Sequence, residues 1–392
     1  MAVRRLLVVS DEMEVGGSQR QITHLLTGLD RTRWQPELLY FRNPSFLIDE
    51  VADLGIPVRH LPKQGRIDPG FVLRYAALLR SGRYDLVHAF SLTAELWTAV
   101  ARLLVPQAPR QVSSVRGLYL SEPSRFWQLK RFALSRSDAV IANAHACAQA
   151  ASTHTGIALE RFDIVANGVD IPAILDENQR AALRHSIGAP PGRAFGLFVG
   201  RLVREKNPAC LLRALAGLSL QSRPWIAIAG DGPLRDDLGM AVASSGLTAD
   251  VSFLGERRDA TALMQAADFL VLPSCQEGMS NAVLEAMAVG CPVIASAVGG
   301  NRELVEDRRT GLLFASDDHH ALGACLRRMG TEPAFRARMS SEAQDQVHAR
   351  HTVPAMVADT TAIYDRILCG PEPRARRLRG GLPGRSAVDD RP

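Results

Sequence analysis

Residues Phe269–Ser296 read FLVLPSCQEGMSNAVLEAMAVGCPVIAS, and their pattern indicates the class of fold. The first four residues of this stretch form an apolar, strand-like run, and a polar loop follows them. Ser280 or Asn281 can then cap a helix, and Gly290 can end it. A second apolar run, Pro292–Ala295, comes next. A strand, a helix and a further strand in this order predict a parallel βαβ unit.

The same alternation extends along most of the chain on both sides of this stretch. Short strands that are almost wholly apolar, separated by helices, are typical of a parallel sheet covered on both faces. We therefore predict the α/β class, with two Rossmann-like, doubly wound parallel-sheet domains that face a cleft. The predicted strands are Leu6–Val9, Glu37–Phe41, Leu86–His88, Gln111–Val115, Ala139–Ala142, Asp163–Val165, Phe195–Val199, Trp225–Ala229, Val251–Leu254, Phe269–Leu272, Pro292–Ala295 and Gly311–Phe314.

A break in the alternation divides the chain near its middle. Residues 171–194 are rich in proline, glycine and polar residues, and they contain one short helical segment around Gln179–Ser186. The predicted divisions are an N-terminal domain over 1–170, a linker over 171–194, a C-terminal domain over 195–350, a helix that packs back across the junction within 351–370, and a basic disordered tail over 371–392.

Composition narrows the class of protein. Of the 392 residues 46% are hydrophobic and 22% are charged, which is the balance of a soluble globular protein. No apolar run approaches the roughly 18 residues that a membrane span needs, so we expect a cytoplasmic protein. The net charge is only +5, and we expect no nucleic-acid partner. The six cysteines are scattered singly, without the spacing of a zinc site.

Two glycines, Gly16 and Gly17, follow the first predicted strand and precede a helix. A glycine turn at this place lets backbone N–H groups approach an anion at the helix N-terminus. The same pair can also serve as a tight turn with no ligand. Taken alone, the two glycines support both interpretations about equally.

Two cations, Arg201 and Lys206, follow the predicted strand Phe195–Val199. In open α/β sheets, ligands bind at the carboxyl ends of the strands. Fixed cations there could neutralise the charge that develops on a diphosphate leaving group. Charged side chains can also serve only to keep a loop in contact with water. We assign that role to the neighbouring Arg204 and Glu205, and the ligand-binding role to Arg201 and Lys206.

Two carboxylates accompany the helix of the opening stretch. Glu277 lies in the loop before that helix, and Glu285 lies in its early turns. Gly278 permits a ligand to approach the backbone closely. The helix N-terminus suits a phosphate, and the carboxylates suit sugar and ribose hydroxyls because each accepts several hydrogen bonds.

Further motifs accompany these residues: Asn167-Gly168-Val169-Asp170, Gly200-Arg201-Leu202 with Lys206, Gly230-Asp231-Gly232-Pro233, Phe253-Leu254-Gly255 and the Glu-x7-Glu pair of Glu277 and Glu285. With the Gly-Gly loop, the set resembles glycosyltransferase family 4, a large group of retaining enzymes with the GT-B fold. The resemblance covers nearly the whole chain except its tail. It is far more specific than any one of the motifs.

The resemblance implies a role for each matching residue. Glu277, Arg201 and Lys206 would be the catalytic residues, with the two cations on the diphosphate and Glu277 on the transferred sugar. Glu285 would bind the ribose hydroxyls. The implied donor contacts are Gly16, Gly17, Arg201, Lys206, Leu254, Glu277, Gly278, Met279, Ser280, Asn281 and Glu285. Because the two cations can do the electrostatic work of a metal ion, we expect no catalytic metal and no cofactor.

The function implied is that of a retaining, hexosyltransferase-type enzyme. It would move a sugar from a nucleotide-sugar, with UDP the commonest carrier in the family, to a glycan or lipid-linked acceptor in cell-surface polysaccharide or glycolipid assembly. Two positions depart from the family's pattern. Family members often carry a histidine where this chain has Arg116, and only His88 remains of a His-x-His motif. Both residues are candidate contacts for the acceptor or the sugar.

Two other functions stay open at the level of sequence. A nucleotide-sugar epimerase would bind the same donor but needs acid–base groups, for which His24, His88 and Glu95 are loose candidates. A non-catalytic subunit could bind a glycan or a nucleotide. It would have no need of the four charged site residues, which are Arg201, Lys206, Glu277 and Glu285. The basic, aromatic segment Ser124–Arg136 suits either peripheral contact with the anionic inner face of the cell membrane or an ordinary surface helix.

Overall fold

The computed structural model describes residues 3–65 and 67–369, so the predicted tail over 371–392 lies outside the described residues. Within them the chain forms two all-parallel sheets, one of seven strands and one of six. Helices cover both sheets. One cluster of buried apolar residues runs from Val115 and Val140 of the N-terminal sheet into the C-terminal domain, and two further clusters lie around the N-terminal sheet. These are two Rossmann-like units, as the alternation predicts.

The N-terminal sheet has the strand order β3-β2-β1-β4-β5-β6-β7, which reverses between β1 and β4. Its strands are β1 Arg4–Glu12, β2 Trp34–Arg42, β3 Val58–His60, β4 Leu86–Ala89, β5 Arg110–Val115, β6 Ala139–Ala142 and β7 Phe162–Ile164. Its helices are α1 Gly17–Gly28, α2 Phe46–Asp53, α3 Pro69–Gly82, α4 Leu92–Arg102, α5 Ser124–Ser135 and α6 His145–Thr155. The short helix α7 covers Glu177–Ser186 in the linker.

The C-terminal sheet has the order β10-β9-β8-β11-β12-β13, which reverses between β8 and β11. Its strands are β8 Phe195–Val199, β9 Trp225–Ala229, β10 Val251–Gly255, β11 Phe269–Leu272, β12 Val293–Ser296 and β13 Gly311–Phe314. Its helices are α8 Pro208–Ala216, α9 Arg235–Ser244, α10 Ala260–Ala266, α11 Asn281–Ala288, α12 Asn301–Leu304, α13 His319–Thr331 and α14 Pro333–Arg350. The last described helix is α15, Val353–Cys369.

The last helix returns to the N-terminal domain. Helix α15 packs against α1, and the ring of Tyr364 lies 5.3 Å from that of Trp34. The Tyr364 hydroxyl also contacts the Nδ1 atom of His88 on β4 at 2.5 Å. Thr352, just before the helix, forms an isolated β-bridge with Val169. The chain therefore crosses between the two domains twice, once through the linker and once before α15.

Most predicted strands coincide with observed ones to within one to three residues, but β3 was missed. This strand has three residues and lies at the edge of the sheet. Arg59 and His60 are exposed, so the strand lacks the apolar run that marked the buried strands. An edge strand that faces water gives little periodic signal.

Helix α5 differs from the amphipathic surface helix that its sequence suggested. Lys130, one of the basic residues that both interpretations of the segment Ser124–Arg136 place at the surface, is fully buried and forms an ion pair with Glu95, with Nζ–Oε distances of 2.7 and 2.8 Å. Trp127 is also buried, whereas Arg125, Arg131 and Arg136 are exposed. The interpretation of Lys130 as a surface cation was wrong. Among the described residues, none of the helices has both the length and the apolar character that crossing a bilayer requires.

Candidate functional site

The predicted donor residues lie at the point where the C-terminal sheet reverses its strand order. Arg201 and Lys206 follow β8, and Glu277 follows β11, which pairs with β8 in the middle of the sheet. Loops at the carboxyl ends of such strands form a crevice that no crossover helix fills. The sequence positions predicted to act together are thus brought to one edge of one sheet.

Glu277 is held by two side chains from the C-terminal domain. Its Oε1 atom accepts a hydrogen bond from Lys206 Nζ at 2.5 Å and another from Ser274 Oγ at 2.7 Å. The Lys206 and Glu277 side chains are both largely buried, at 24% and 10% exposure. The pair is therefore shielded from solvent, where electrostatic interactions are stronger than at the surface. Arg201 is exposed on the neighbouring loop.

The loop that carries Arg201 is supported by direct packing of backbone on backbone. Leu202 donates its N–H to Asp231 and accepts a hydrogen bond from Leu234 N–H, at 2.8 and 3.1 Å. Gly230 has a φ of 141°, and a Cβ atom there would overlap the carbonyl of Gly200. The glycine is required both by its backbone conformation and by this close approach. The Gly-Asp-Gly-Pro motif thus positions the Arg201 loop.

The N-terminus of α11 faces the glycine loop of the other domain. Ser280 caps the helix by accepting the N–H of Val283 at 3.4 Å. Asn281 Nδ2 donates to the carbonyl of Gly17 at 2.9 Å. Gly16 is the N-cap residue of α1, so two helix N-termini approach each other across the cleft. Such termini present unpaired N–H groups and favour an anion between them.

Glu285 projects from α11, partly buried, and its carboxylate has no hydrogen bond to any of the residues that the structure describes. Burial raises the pKa of Glu285 to about 7, although Arg20 and His24 oppose the shift. Leu254 lies on β10 and is partly buried beside Phe253, whose ring is covered by the Arg235 guanidinium at 3.9 Å. The site therefore offers an unsatisfied acceptor at one place and an apolar edge at another.

The chain is similar to proteins of a known family over most of its length. The family model "Glycosyltransferase Family 4" matches residues 15–172, and "Glycosyl transferases group 1" matches residues 179–346. A D-inositol 3-phosphate glycosyltransferase of Mycolicibacterium smegmatis is 30% identical over 346 residues, which cover 82% of this chain and 78% of that protein. The chain belongs to glycosyltransferase family 4. It is accordingly a hexosyltransferase-type enzyme.

Two other similarities bear on the family assignment and on the fold. The putative glycosyltransferase EpsF of Bacillus subtilis is 27% identical over 303 residues, covering 75% of this chain and 79% of that protein. Anabaena Alr3699/HepE, solved in complex with UDP-glucose, superposes with a TM-score of 0.83. That similarity has 22% identity and covers 92% of this chain and 99% of the Anabaena protein. The two domains of this family 4 member therefore have the GT-B arrangement.

The two positions that depart from the family 4 pattern have different environments. His88 is only 2% exposed, and its ring nitrogens contact Tyr364 Oη and Ser114 Oγ. Burial lowers the pKa of His88 well below its usual value. The structure thus places His88 in the interior, where it holds α15, and not on the cleft surface. Arg116 follows β5, is partly buried, and donates to Asn167 Oδ1 at 2.5 Å.

Asn167 joins the two domains of this family 4 protein. Its Nδ2 donates to Asn281 Oδ1 at 2.7 Å and to the Met279 carbonyl at 3.1 Å. Gln21 contacts the same Asn281 oxygen and also bonds to both backbone groups of Gly168. The Asn-Gly motif therefore has a structural role that its sequence alone did not reveal. It fixes the position of the α11 N-terminus against α1.

Sequence reasoning missed three contributors to this site. Gly299 and Gly300 follow β12, and Cβ atoms there would overlap the carbonyls of Glu277 and Gly278. Glu303 then crosses to the other domain and accepts the N–H groups of His145 and Ala146, at 2.9 and 2.8 Å. The sequence did carry a sign of the two glycines, because Gly299 and Gly300 follow a strand in the same way as Gly16 and Gly17. Nothing in the sequence indicated the Glu303 contact.

Proposed function

We propose that the protein transfers a sugar from a UDP-sugar to an acceptor hydroxyl with retention of the anomeric configuration. The observation that carries the proposal is the shielded Lys206–Glu277 pair beside the N-terminus of α11. A diphosphate at the helix N-terminus would meet backbone N–H groups, Lys206 and the exposed Arg201. The sugar attached to it would then lie against Glu277.

The catalytic work is electrostatic in this proposal. As the bond between the anomeric carbon and the phosphate oxygen breaks, negative charge develops on the diphosphate. Arg201, Lys206 and the amide groups of α11 would face the developing charge, so they would stabilise the transition state more than the ground state. We propose that these groups replace a metal ion, and that activity persists in EDTA.

Retention would follow from attack on the face from which the diphosphate departs. The acceptor oxygen forms the new bond on that face, and its proton passes to the departing phosphate. The loose candidates for a side-chain base have other partners: His24 lies 3.3 Å from Asp170, and Glu95 pairs with Lys130. The same partners disfavour an epimerase, which needs free acid–base groups beside the sugar. The anomeric configuration of the product, measured by NMR, tests retention.

Two similar proteins suggest substrates. Alr3699/HepE is described in complex with UDP-glucose, and the Mycolicibacterium relative is named for D-inositol 3-phosphate. We propose UDP as the carrier. The proposed acceptor is a glycan or lipid-linked hydroxyl in cell-surface polysaccharide or glycolipid assembly.

The test is sugar transfer by purified Lys206→Ala and Glu277→Gln variants, followed as UDP release from a UDP-sugar panel in EDTA. Glycolipid extracts and inositol 3-phosphate serve as acceptors. Each variant is expected to lose at least about 100-fold in turnover, because each removes a group that acts on the transition state. Arg31→Ala, at an exposed turn outside the cleft, is the control. Near-normal turnover in either site variant would refute the assignment.

Peripheral membrane contact is the remaining part of the proposal. The exposed face of α5 carries Arg125, Arg131 and Arg136 beside Leu129, which is 43% exposed. Basic and apolar side chains together favour the surface of an anionic bilayer. Co-sedimentation with phosphatidylglycerol vesicles should fall in an Arg125→Glu/Arg131→Glu variant. Equal sedimentation of the variant and the parent would show that this face of α5 does not bind the membrane.

A further inference from the structure

Arg116 is a cation without a counter-ion in the cleft. Its only hydrogen bond from the side chain, among residues 3–65 and 67–369, is the one to Asn167 Oδ1. Its guanidinium also lies 5.5 Å from the centre of the Phe90 ring. Burial lowers the pKa of Arg116 to about 10, so the group remains charged at neutral pH. A shielded charge with no ionic partner is costly unless a ligand supplies one.

The charged groups around Arg116 are already engaged elsewhere. Glu277 pairs with Lys206, Glu95 pairs with Lys130, and Glu303 accepts two backbone N–H groups of α6. The two groups that favour the charged form of Arg116 are Tyr119 and Cys147. Burial raises the pKa of both, so they are neutral at physiological pH. The part of the chain that the structure describes therefore provides no anion for this guanidinium.

The location of Arg116 indicates which part of a substrate it faces. The Arg116 carbonyl packs so closely on Gly278 that a Cβ atom there would overlap it. The backbone of Arg116 thus lies against the loop that carries Glu277. Asn167 stands between the guanidinium and Asn281, accepting from the former and donating to the latter. An amide side chain therefore separates Arg116 from the helix N-terminus where the diphosphate is expected.

We propose that Arg116 binds a carboxylate on the transferred sugar, and that the donor is a nucleotide-linked uronic acid. This inference rests on the proposed function, which places the sugar against Glu277. A planar guanidinium binds a carboxylate through two parallel hydrogen bonds, whereas a neutral sugar hydroxyl would leave the charge uncompensated. The residue would therefore select an acidic sugar over its neutral counterpart.

The test compares UDP, UDP-glucose and UDP-glucuronic acid. The last two differ only at C6 of the hexose, where glucuronic acid has a carboxylate in place of the hydroxymethyl group of glucose. Affinities are measured by calorimetry in EDTA without acceptor, for the parent protein and for Arg116→Gln, Arg116→Lys and the control Arg31→Ala. A series of GDP, GDP-mannose and GDP-mannuronic acid covers a site that prefers guanine. The acidic donor should bind the parent protein most tightly.

Arg116→Gln should weaken binding of the acidic donor at least about tenfold, with UDP and UDP-glucose within about twofold of the parent. The affinity of Arg116→Lys for the acidic donor should lie between those of the parent and Arg116→Gln, because lysine keeps the charge but cannot form two parallel hydrogen bonds to a carboxylate. Equal losses for all three ligands would assign Arg116 to the diphosphate and overturn the inference. A parent protein without preference for the acidic donor would also overturn it. Failure of every nucleotide to bind would instead overturn the proposed function, and the inference with it.

Discussion

The two faces of the cleft are built in different ways. On the C-terminal side, backbone packs on backbone, and the overlap that a Cβ atom would cause at Gly230, Gly299 or Gly300 shows how tightly. On the N-terminal side, buried polar side chains do the positioning: Lys130 with Glu95, and His88 with Ser114 and Tyr364. A glycine contact tolerates almost no substitution, whereas paired side chains can be exchanged together.

This difference suits the two substrates of the proposed reaction. In the proposed reaction, the closely packed backbone of the C-terminal side would hold the nucleotide diphosphate. Sugars and acceptors vary, and side chains such as Arg116 can change without rebuilding the loops that carry them. We therefore expect substitutions at the glycine contacts to disturb donor binding as a whole, and substitutions of polar residues on the opposite face to change which substrate is selected.

The largest expected effect concerns the buried pair on the N-terminal side. Lys130→Ala leaves the Glu95 carboxylate buried without its ionic partner, and it should lower the free energy of unfolding by about 3–5 kcal/mol. Urea unfolding followed by circular dichroism measures the loss. The double variant Lys130→Met/Glu95→Leu should recover most of it, because both charges are removed together. If Lys130→Ala unfolded at the same urea concentration as the parent, buried side-chain pairs would not stabilise the N-terminal side as described.

The next effect concerns the backbone contacts on the C-terminal side. Gly230→Ala must move the Gly200 carbonyl and adopt an unfavourable φ, so it should cost about 2–3 kcal/mol of stability. Gly17→Ala is the matched variant on the other domain, since its Cβ atom would lie 3.4 Å from Asn281 Nδ2 in ordinary contact. We expect that variant to unfold like the parent. Equal stability of both variants would contradict the proposed difference between the faces.

The smallest effect is a pH dependence from Glu285, whose pKa burial raises to about 7. Its ionised form accepts hydrogen bonds from ribose, so UDP-sugar affinity should rise about fivefold between pH 6 and pH 8. Without donor, the contribution of Glu285 to the free energy of unfolding changes with pH in the opposite direction to the donor affinity. The folded state binds the proton more tightly than the unfolded chain, so the contribution of Glu285 is lost as the pH rises from about 4.5 through 7. The affinity slope should vanish in Glu285→Gln, and the stability slope should become shallower, because burial raises the pKa of Glu95 to about 7 as well and Glu95 still titrates. An unchanged affinity profile in that variant would remove Glu285 from the donor site.

The sequence predicted the C-terminal half of the site better than the N-terminal half. Strand ends, glycines and the Glu-x7-Glu spacing are local features, and local features place Arg201, Lys206 and Glu277 at one sheet edge. Contacts such as that of Glu303 with His145 join residues more than 150 positions apart, and no periodicity reports them. Lys130 was misjudged because a lysine in an amphipathic segment normally faces water, and only its partner Glu95 makes burial tolerable.

The measurement that tests the central claim most directly is thermal stabilisation by UDP-, GDP- and ADP-sugars in EDTA, for the parent protein and Lys206→Ala. We expect UDP-sugars to raise the melting temperature of the parent without any metal, and we expect the shift to disappear in Lys206→Ala while the unliganded variant stays folded. A UDP-sugar shift that persists in the variant would contradict the assignment of the donor diphosphate to this edge of the C-terminal sheet, as would the absence of a shift with any nucleotide-sugar.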